Sequence, residues 1–156
     1  FHKEPFQKLL LCFEDKSIGV IAPMAINKNG HREDSYRNFP TPLSLLKKLL
    51  FKSKDIYTIP SNKDIIFPDW CSGMFLIFKQ DVYKALNGFD ESYFLYYEDI
   101  DICLRVWSSG KKVAISKAVQ IEHSAQRDSH KNLKYLKMHL VSIIKFFYKH
   151  LYRFPR

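Results

Sequence analysis

The sequence predicts an α/β fold, because apolar segments with strand character alternate with segments of helical periodicity along the chain. The 156 residues are 46% apolar and 15% aromatic, which is enough for one domain with a hydrophobic core and argues against disorder. A glycine-rich phosphate loop of the Rossmann or Walker type does not occur in the sequence. We therefore expect one α/β domain without a nucleotide site of either type.

The first elements are predicted from short apolar runs. Residues 5–13 have the spacing of a short amphipathic helix, and the apolar run at residues 17–23 predicts a buried strand that ends at Pro23. A polar segment follows, after which residues 43–51 have the pattern of a second helix. The chain therefore begins as helix, strand and helix.

The middle of the chain contains a strand and a short helix. Residues 70–78 predict another apolar strand, interrupted at Ser72-Gly73. Asp81 is expected to cap a helix that runs to Leu86. Asn87-Gly88 should end this helix, because both residues tolerate a positive φ.

The last third of the chain predicts a helix, a strand and a long helix. Residues 98–109 predict a helix that stops at Gly110. Its apolar side chains at helical spacing, which should face the core, are Ile100, Cys103, Leu104 and Trp107. Residues 112–122 predict a strand, and a basic helix should follow over roughly residues 132–152.

The net charge of +9 is concentrated near the C-terminus. Residues 111–156 contain eleven Lys or Arg and two acidic residues, so this segment carries the whole excess. We divide the chain into a domain over residues 1–128 and a C-terminal basic amphipathic helix over residues 129–156. The apolar side chains of this helix that recur every three or four residues are Leu133, Leu136, Leu140, Ile144, Phe147 and Leu151.

Two interpretations of the basic helix remain open. Its apolar face docks on the domain, or it lies on an anionic membrane surface with the lysines at the head groups. A specific nucleic-acid partner is not predicted, because the charge is not accompanied by a recognised nucleic-acid-binding motif.

The cysteine spacing and the hydropathy indicate in which cellular compartment the protein is located. The three cysteines are widely spaced and match neither a zinc site nor a disulfide framework. We therefore expect a reducing, cytoplasmic location. If the basic helix binds lipid, we also expect peripheral attachment at the inner face of the cell membrane. No segment of the sequence is long and uncharged enough to span a bilayer.

Three acids begin the predicted helix at residue 98, directly after the aromatic and apolar run of residues 94–97. Acids in the first helical turn are stabilised by the free N–H groups there, and Asp101 can pair with Arg105 one turn later. That structural interpretation suits Asp101. It suits Glu98 and Asp99 less well, because the preceding run indicates a pocket wall, where a carboxylate usually serves as a base or holds a ligand.

Three blocks of the sequence carry a family resemblance. They are DWCSGMFLI at residues 69–77, GFDESYFLYYEDIDICLR at residues 88–105 and IEH at residues 121–123, with GVIAP at residues 19–23 before them. In order and spacing these blocks resemble the inverting family 2 glycosyltransferases, and the bacterial rhamnosyltransferase-like branch in particular. The resemblance implies the C-terminal half of a GT-A-type fold, with a mixed sheet flanked by helices.

The resemblance also assigns chemical roles. Asp99 corresponds to the base that removes a proton from the acceptor hydroxyl, and Glu98 to a neighbour that orients the acceptor. His123 corresponds to a ligand of a divalent cation, Mn²⁺ or Mg²⁺, that neutralises the departing diphosphate.

Further residues are assigned to substrate binding. Trp70, Ser72 and Gly73 correspond to the acceptor cleft, although a core position for Trp70 is an equal alternative. Asp101 and Arg105 are also assigned to substrate binding, and an ion pair within the helix is the alternative for them. Arg127 lies in a polar stretch assigned to the diphosphate, with an ordinary surface loop as the alternative.

The implied activity is transfer of a sugar from a nucleotide-diphospho-sugar to a hydroxyl of a glycan or lipid-linked glycan, as in bacterial surface polysaccharide synthesis. The alternative is a non-catalytic glycan-binding or membrane-surface module that retained the fold. In the family the donor half ends in an Asp-x-Asp motif, and none precedes Gly19 here. We therefore expect this chain to hold the acceptor side of a longer enzyme and to be inactive by itself.

Overall fold

The computed structural model describes residues 3–51, 63–123 and 133–150, which form a mixed four-stranded sheet flanked by helices and a small two-stranded sheet. The helices are α1 (Lys3–Leu11), α2 (Pro42–Phe51), α3 (Gln80–Ala85), α4 (Glu98–Ser108) and α5 (Leu133–His150), with a 3₁₀ turn at Cys12–Glu14. The strands are β1 (Ile18–Ile26), β2 (Tyr36–Arg37), β3 (Ile65–Ile66), β4 (Trp70–Cys71), β5 (Ile77–Phe78) and β6 (Lys112–Glu122). The predicted α/β class is confirmed.

The centre of the fold is the parallel pair β1 and β6, in a sheet of order β3-β6-β1-β5 whose outer strands are antiparallel to them. Residues of β1 pack into two different core clusters, because successive side chains of a strand point to opposite faces of the sheet. Val20 packs in the cluster that contains Ile102 of α4, whereas Ile21 packs with Leu9 of α1. Helices therefore cover both faces of the central pair.

The predicted end of β1 at Pro23 is wrong, because the strand continues to Ile26. The pairing with β6 shifts at this point, from Pro23 opposite Ser116 to Met24 opposite Gln120. Proline has no N–H to donate to a ladder, and an irregular register accommodates it inside a strand. Proline thus interrupts the register of β1 but not the strand.

The apolar run at residues 70–78 divides between the two sheets. Its first part, β4, pairs with β2, and its last part, β5, pairs with β1. The predicted interruption at Ser72-Gly73 is confirmed, and it marks the point where the chain leaves one sheet for the other. Both residues lie between β4 and β5, and they line a cleft at the surface.

Helices α3 and α4 lie close to their predicted positions. Asn87 and Gly88 after α3 have φ values of 56° and 67°, as the turn prediction requires. The predicted cap at Asp81 is wrong, because Lys79 occupies the N-cap position and no side chain caps the helix. Helix α4 ends at Ser108, followed by Gly110 with a φ of 78°.

Helix α5 contacts the domain through a different face from the predicted one. Its buried residues are Ser142, Phe146 and His150. Four of the six apolar residues predicted to form the docking face are exposed instead, namely Leu133, Leu136, Leu140 and Ile144, and Leu151 lies outside the described residues. The interpretation that this face docks on the domain is therefore wrong, because polar and aromatic contacts on the other side decide how α5 packs.

Across the three described ranges, no helix is long and apolar enough to cross a membrane. Residues 124–132 lie outside the described part of the chain, and the predicted boundary between residues 128 and 129 falls there.

Candidate active site

The site begins at a left-handed turn directly before α4. Tyr96 and Tyr97 have φ values of 68° and 69°, a region that side-chain-bearing residues rarely adopt. Two such residues in sequence cost on the order of 1–3 kcal/mol each and persist because surrounding contacts hold them. The first bond of α4 then forms from the Asp101 N–H to the Tyr97 carbonyl over 2.8 Å. This turn determines the direction in which the first acids of α4 leave the backbone.

Helix α5 holds the turn in this conformation. The Ser142 hydroxyl donates to the Leu95 carbonyl over 2.8 Å, and the Lys145 ammonium donates to the Ser92 carbonyl over 2.6 Å. The Phe146 ring lies 5.2 Å from the Tyr97 ring, between centroids. Since these contacts reach the turn and the segment before it, α5 compensates the cost of the backbone conformation.

The first acids of α4 open onto a surface cleft of about 450 Å³. The residues that line it are Ser72, Gly73, Met74, Phe89, Glu98 and Asp99. The Gly73 N–H donates to Oδ2 of Asp99 over 3.1 Å, so the segment after β4 and the first turn of α4 meet at this carboxylate. The structure thus brings four predicted site residues into one cleft.

Asp99 is half-buried, and its environment favours the neutral acid. Burial raises the pKa of the Asp99 carboxyl to about 6, with a further contribution from the negative charge of Glu98. Hydrogen bonds from the Gly73 and Ile100 N–H groups oppose this rise because they stabilise the ionised form. No cationic side chain pairs with Asp99 in the described part of the chain. A carboxylate with a pKa of about 6 is mostly ionised at neutral pH and suits a general base.

Two polar atoms at the cleft have no hydrogen-bond partner among the described residues. Within residues 3–51, 63–123 and 133–150, the Ser72 hydroxyl and Oε2 of Glu98 are buried without a hydrogen bond. Buried polar atoms are usually satisfied by protein, water or ligand. Hydroxyl groups of a bound sugar are donors and acceptors of the kind that these two atoms need.

Asp101 occupies a different environment from Asp99. It is fully buried, and its carboxylate contacts Arg105 at 2.7 Å, Lys149 at 2.8 Å and His150 at 2.7 Å. Burial acts to raise the pKa of Asp101, but bonds from His150, Lys149 and Arg105 outweigh it and hold this pKa below its usual value. The ion pair with Arg105 expected from the i, i+4 spacing is confirmed. These contacts favour a structural role, and substrate binding by Asp101 or Arg105 remains a prediction.

The network around Asp101 extends to a second acid. Lys149 also contacts Asp90 at 2.6 Å, and this bond, with those from Ser92, holds the pKa of Asp90 well below its usual range. The Arg105 guanidinium donates to the Leu86 carbonyl over 2.7 Å. The end of α5, the middle of α4 and the segment between α3 and α4 are thereby joined.

Trp70 lies beside the cleft rather than in its wall. Its indole N–H donates to the Asn38 carbonyl over 3.0 Å, and its ring packs against two core clusters. Trp70 is not among the residues that line the cleft. These contacts favour the core alternative, and acceptor stacking by Trp70 remains a prediction.

His123 directly follows β6, and its N–H donates to the Ile26 carbonyl over 2.8 Å. Its ring Nδ1 is buried and has no hydrogen-bond partner among the described residues. In the same residues, no group of three or more His, Cys, Asp or Glu side chains could hold a metal ion. The described residues therefore offer one candidate donor and not a complete cation site. Arg127 lies outside the described residues.

Several residues of the site were not predicted. Met74 and Phe89 line the cleft, and Phe89 directly follows the positive-φ Gly88. His150 was expected to be solvated or on a helix face, but it is buried against Asp101. The blocks that carry the resemblance contain Met74 and Phe89, so the sequence signal for them existed. The partners on α5 lie too far along the chain for local patterns to connect them with Asp101.

The part of the chain that forms the cleft is similar to known glycosyltransferases. A family model described as the N-terminal domain of galactosyltransferase matches residues 61–131, a range that contains every residue lining the cleft. Rhamnosyltransferase WbbL of Escherichia coli (strain K12) is 35% identical over 79 residues, 50% of this chain and 30% of that protein. Over this region the chain is similar to glycosyltransferases of the family 2 type.

Two further glycosyltransferases match a larger share of the chain. N-acetylglucosaminyl-diphospho-decaprenol L-rhamnosyltransferase of Mycobacterium tuberculosis (strain ATCC 25618 / H37Rv) is 31% identical over 133 residues, 78% of this chain and 42% of that protein. Low-salt glycan biosynthesis hexosyltransferase Agl10 of Haloferax volcanii is 23% identical over 129 residues, 81% of this chain and 40% of that protein. The chain thus spans less than half the length of these relatives. The family resemblance found in the sequence is confirmed.

Proposed function

We propose that the chain is the acceptor-side part of an inverting glycosyltransferase, with Asp99 as its general base. The observation that carries the proposal is the environment of Asp99, which faces a cleft, pairs with no cation in the described residues and has a pKa raised to about 6. A purely structural acid is usually paired, as Asp101 is in the same helix. Asp99 is the group available for proton transfer.

The proposed step is a single displacement at the anomeric carbon of the donor sugar. The acceptor hydroxyl transfers its proton to a carboxylate oxygen of Asp99 while its oxygen forms a bond to that carbon. The bond from the carbon to the diphosphate breaks, and the nucleoside diphosphate leaves with the electron pair. Attack from the face opposite the leaving group inverts the anomeric configuration. Asp99 later releases its proton to solvent.

The neighbours of Asp99 have supporting roles in this proposal. The Gly73 N–H keeps the carboxylate at the cleft wall and stabilises its ionised form. The negative charge of Glu98 raises the affinity of Asp99 for the proton. The unpartnered Oε2 of Glu98 and hydroxyl of Ser72 would bind hydroxyl groups of the acceptor sugar and orient the reacting one.

The relatives support a choice of substrates. Their names describe transfer of rhamnose or a hexose, and one names an N-acetylglucosaminyl-diphospho-decaprenol as the molecule acted on. We therefore propose a nucleotide-diphospho-sugar donor and a glycan or lipid-linked glycan acceptor for the whole protein. Nucleotide-activated rhamnose and an N-acetylglucosaminyl-diphospho-polyprenol are the first pair to assay.

A divalent cation remains a separate proposal. His123 offers one nitrogen donor, and the described residues do not complete a site for Mn²⁺ or Mg²⁺. When bound, such a cation would neutralise charge on the diphosphate. The role proposed for Asp99 does not depend on it.

Replacement of Asp99 by Asn in the full-length protein tests the proposal. Asparagine preserves the shape of the side chain but cannot accept the proton, so transfer should be lost while the fold is retained. The matched control is Glu91→Gln, which neutralises an exposed acid outside the cleft and should transfer sugar normally. Undiminished transfer by Asp99→Asn would favour the alternative, a non-catalytic glycan-binding module.

The division between donor and acceptor sides is tested with the 156-residue chain itself. Isothermal titration with nucleotide-activated rhamnose should show weak binding or none, because the proposal places the donor site in a part of the relatives that this chain does not match. Tight donor binding by the chain alone would contradict that placement.

A further inference from the structure

Helix α5 has an exposed apolar face, here called the outer face of α5. Six apolar residues form it, with 43% to 90% of each residue exposed: Leu133, Leu136, Leu140, Val141, Ile144 and Tyr148. Five of them follow one another at intervals of three or four residues, which places them along one side of a helix. A continuous exposed apolar face of this kind marks an interaction surface.

The opposite face of α5 is already engaged by the domain. Ser142, Phe146 and His150 are buried there, and their partners are the turn before α4 and the carboxylate of Asp101. Rotation of α5 to bury its outer face would break these contacts and leave Asp101 without two of its partners. The described residues therefore leave the outer face uncovered.

The charges around the outer face indicate what this partner is. Lys137 and Lys134 are exposed on the first turns of the same helix, within and beside the apolar row. They belong to the segment of residues 111–156 that carries the whole net charge of +9. Lysine stems can lie along apolar surface while their ammonium groups reach the head groups of anionic lipids.

We propose that the outer face of α5 lies on an anionic lipid bilayer. Apolar side chains would enter the boundary between head groups and acyl chains, with the helix axis parallel to the surface. A second copy of this chain is a poorer occupant, because pairing two such faces would bring the lysines of both copies together. The bilayer offers both an apolar layer and the opposite charge.

The position of α5 gives this surface a functional consequence, which rests on the proposed function. The face opposite the bilayer holds the turn that aims Glu98 and Asp99 into the cleft. An α-helix is about 10 Å across with its side chains. Docking of α5 would therefore keep the cleft close to the membrane surface, where an acceptor sugar attached to a lipid is presented.

Vesicle flotation tests the lipid surface without any assay of sugar transfer. The full chain is mixed with vesicles of phosphatidylcholine containing phosphatidylglycerol, or with vesicles of phosphatidylcholine alone. We expect the chain to float with the anionic vesicles, and more weakly as salt is raised. The double variant Ile144→Glu/Tyr148→Glu should bind the anionic vesicles roughly tenfold less or weaker, since it removes two apolar groups and adds two negative charges.

Two control variants make the result specific. Ser142→Ala changes the domain-facing side of α5 and should float like the wild-type chain. Leu46→Glu/Leu50→Glu places the same change on exposed apolar residues of α2 and should also float normally. Circular dichroism should show that all variants are folded, because the residues that receive a charge are exposed.

Three results would overturn the proposal. The first is equal flotation of wild type and Ile144→Glu/Tyr148→Glu, and the second is no flotation of the folded wild-type chain with anionic vesicles. The third is a lipid-free dimer that this double variant dissociates, which would assign the outer face to a second copy. Normal transfer in Asp99→Asn together with flotation of the wild-type chain would refute the proposed function and leave the lipid surface standing.

Discussion

The Gly73 N–H and Oδ2 of Asp99, two residues that line the cleft, are joined by a hydrogen bond of 3.1 Å. The two residues lie 26 positions apart, one after strand β4 and one in the first turn of α4. This bond keeps the carboxylate beside the cleft and leaves its negative charge uncompensated. An ion pair with a cationic side chain would compensate that charge. Asp99 is thus held by an N–H group, whereas Asp101 is held by cations.

Asp99→Asn should reduce kcat by a factor of roughly 10² to 10⁴, because a positioned general base contributes about that much.

The stability of Asp99→Asn at pH 7 should equal or exceed that of the wild type. The pKa of about 6 in the fold lies above the ordinary value of 3.8, so ionisation of Asp99 lowers stability as pH rises between these two values. Below pH 3.8 the two proteins should be equally stable. Initial rates and urea denaturation measure the two effects, and unchanged kcat would exclude Asp99 as the base.

Glu98→Gln should move the acidic limb of the pH–rate profile to lower pH. The negative charge of Glu98 raises the pKa of Asp99, so its removal makes Asp99 easier to ionise. The profile of kcat/KM against pH for the wild type should rise through about pH 6. A Glu98→Gln profile that stays in place or moves to higher pH would show that another group controls this limb.

Asp101→Asn should destabilise the fold by about 3 kcal/mol at neutral pH, because it leaves Lys149 and Arg105 without their buried carboxylate. The pKa of Asp101 is lowered in the fold, so its contribution is present above the ordinary value of 3.8 and is lost as pH falls through the lower pKa. Urea denaturation at pH 7 and at decreasing pH measures the difference. A loss of kcat without loss of stability would instead support contact between Asp101 and substrate.

Gly73→Ala and Gly88→Ala form a matched pair. A Cβ at Gly73 would lie 3.6 Å from Cβ of Asp99, an ordinary contact, so Gly73→Ala should fold normally and raise KM by occupying the cleft. A Cβ at Gly88 would lie 3.0 Å from the Tyr83 hydroxyl at a φ of 67°. Gly88→Ala should therefore cost about 1–3 kcal/mol of stability. Thermal denaturation and steady-state kinetics test both variants, and a stable Gly88→Ala or an unchanged KM in Gly73→Ala would contradict the respective argument.

Local patterns predicted most of the elements correctly. The bounds of β6 match the predicted residues 112–122, and α4 begins at Glu98 as expected, because strand and helix periodicities are properties of adjacent residues. The prediction for Pro23 was wrong, since a register shift that needs a neighbouring strand accommodates it. The predicted cap at Asp81 was wrong because α3 already begins at Gln80. The helix starts directly after the segment that β5 places beside β1, a pairing that local sequence does not show.

The candidate site was predicted in part. Its acids and the Ser72-Gly73 interruption are visible in the sequence, and their meeting in one cleft is a result of the fold. The sequence could not decide whether Trp70 and His123 have a structural role or a binding role. The residues around an indole or imidazole have the same local pattern in both cases. The contacts of Trp70 favour the core.

The sequence by itself determined that acids begin a helix after an aromatic turn, and that a basic amphipathic helix closes the chain. Tertiary structure decided which acid is available and which face of α5 is covered. Asp99 and Asp101 are two residues apart, about 200° around a helix, so one opens onto the cleft while the other is buried. Lys149 and His150, which hold Asp101, are 48 and 49 residues away from it on α5, and contacts over such separations depend on packing rather than on local periodicity.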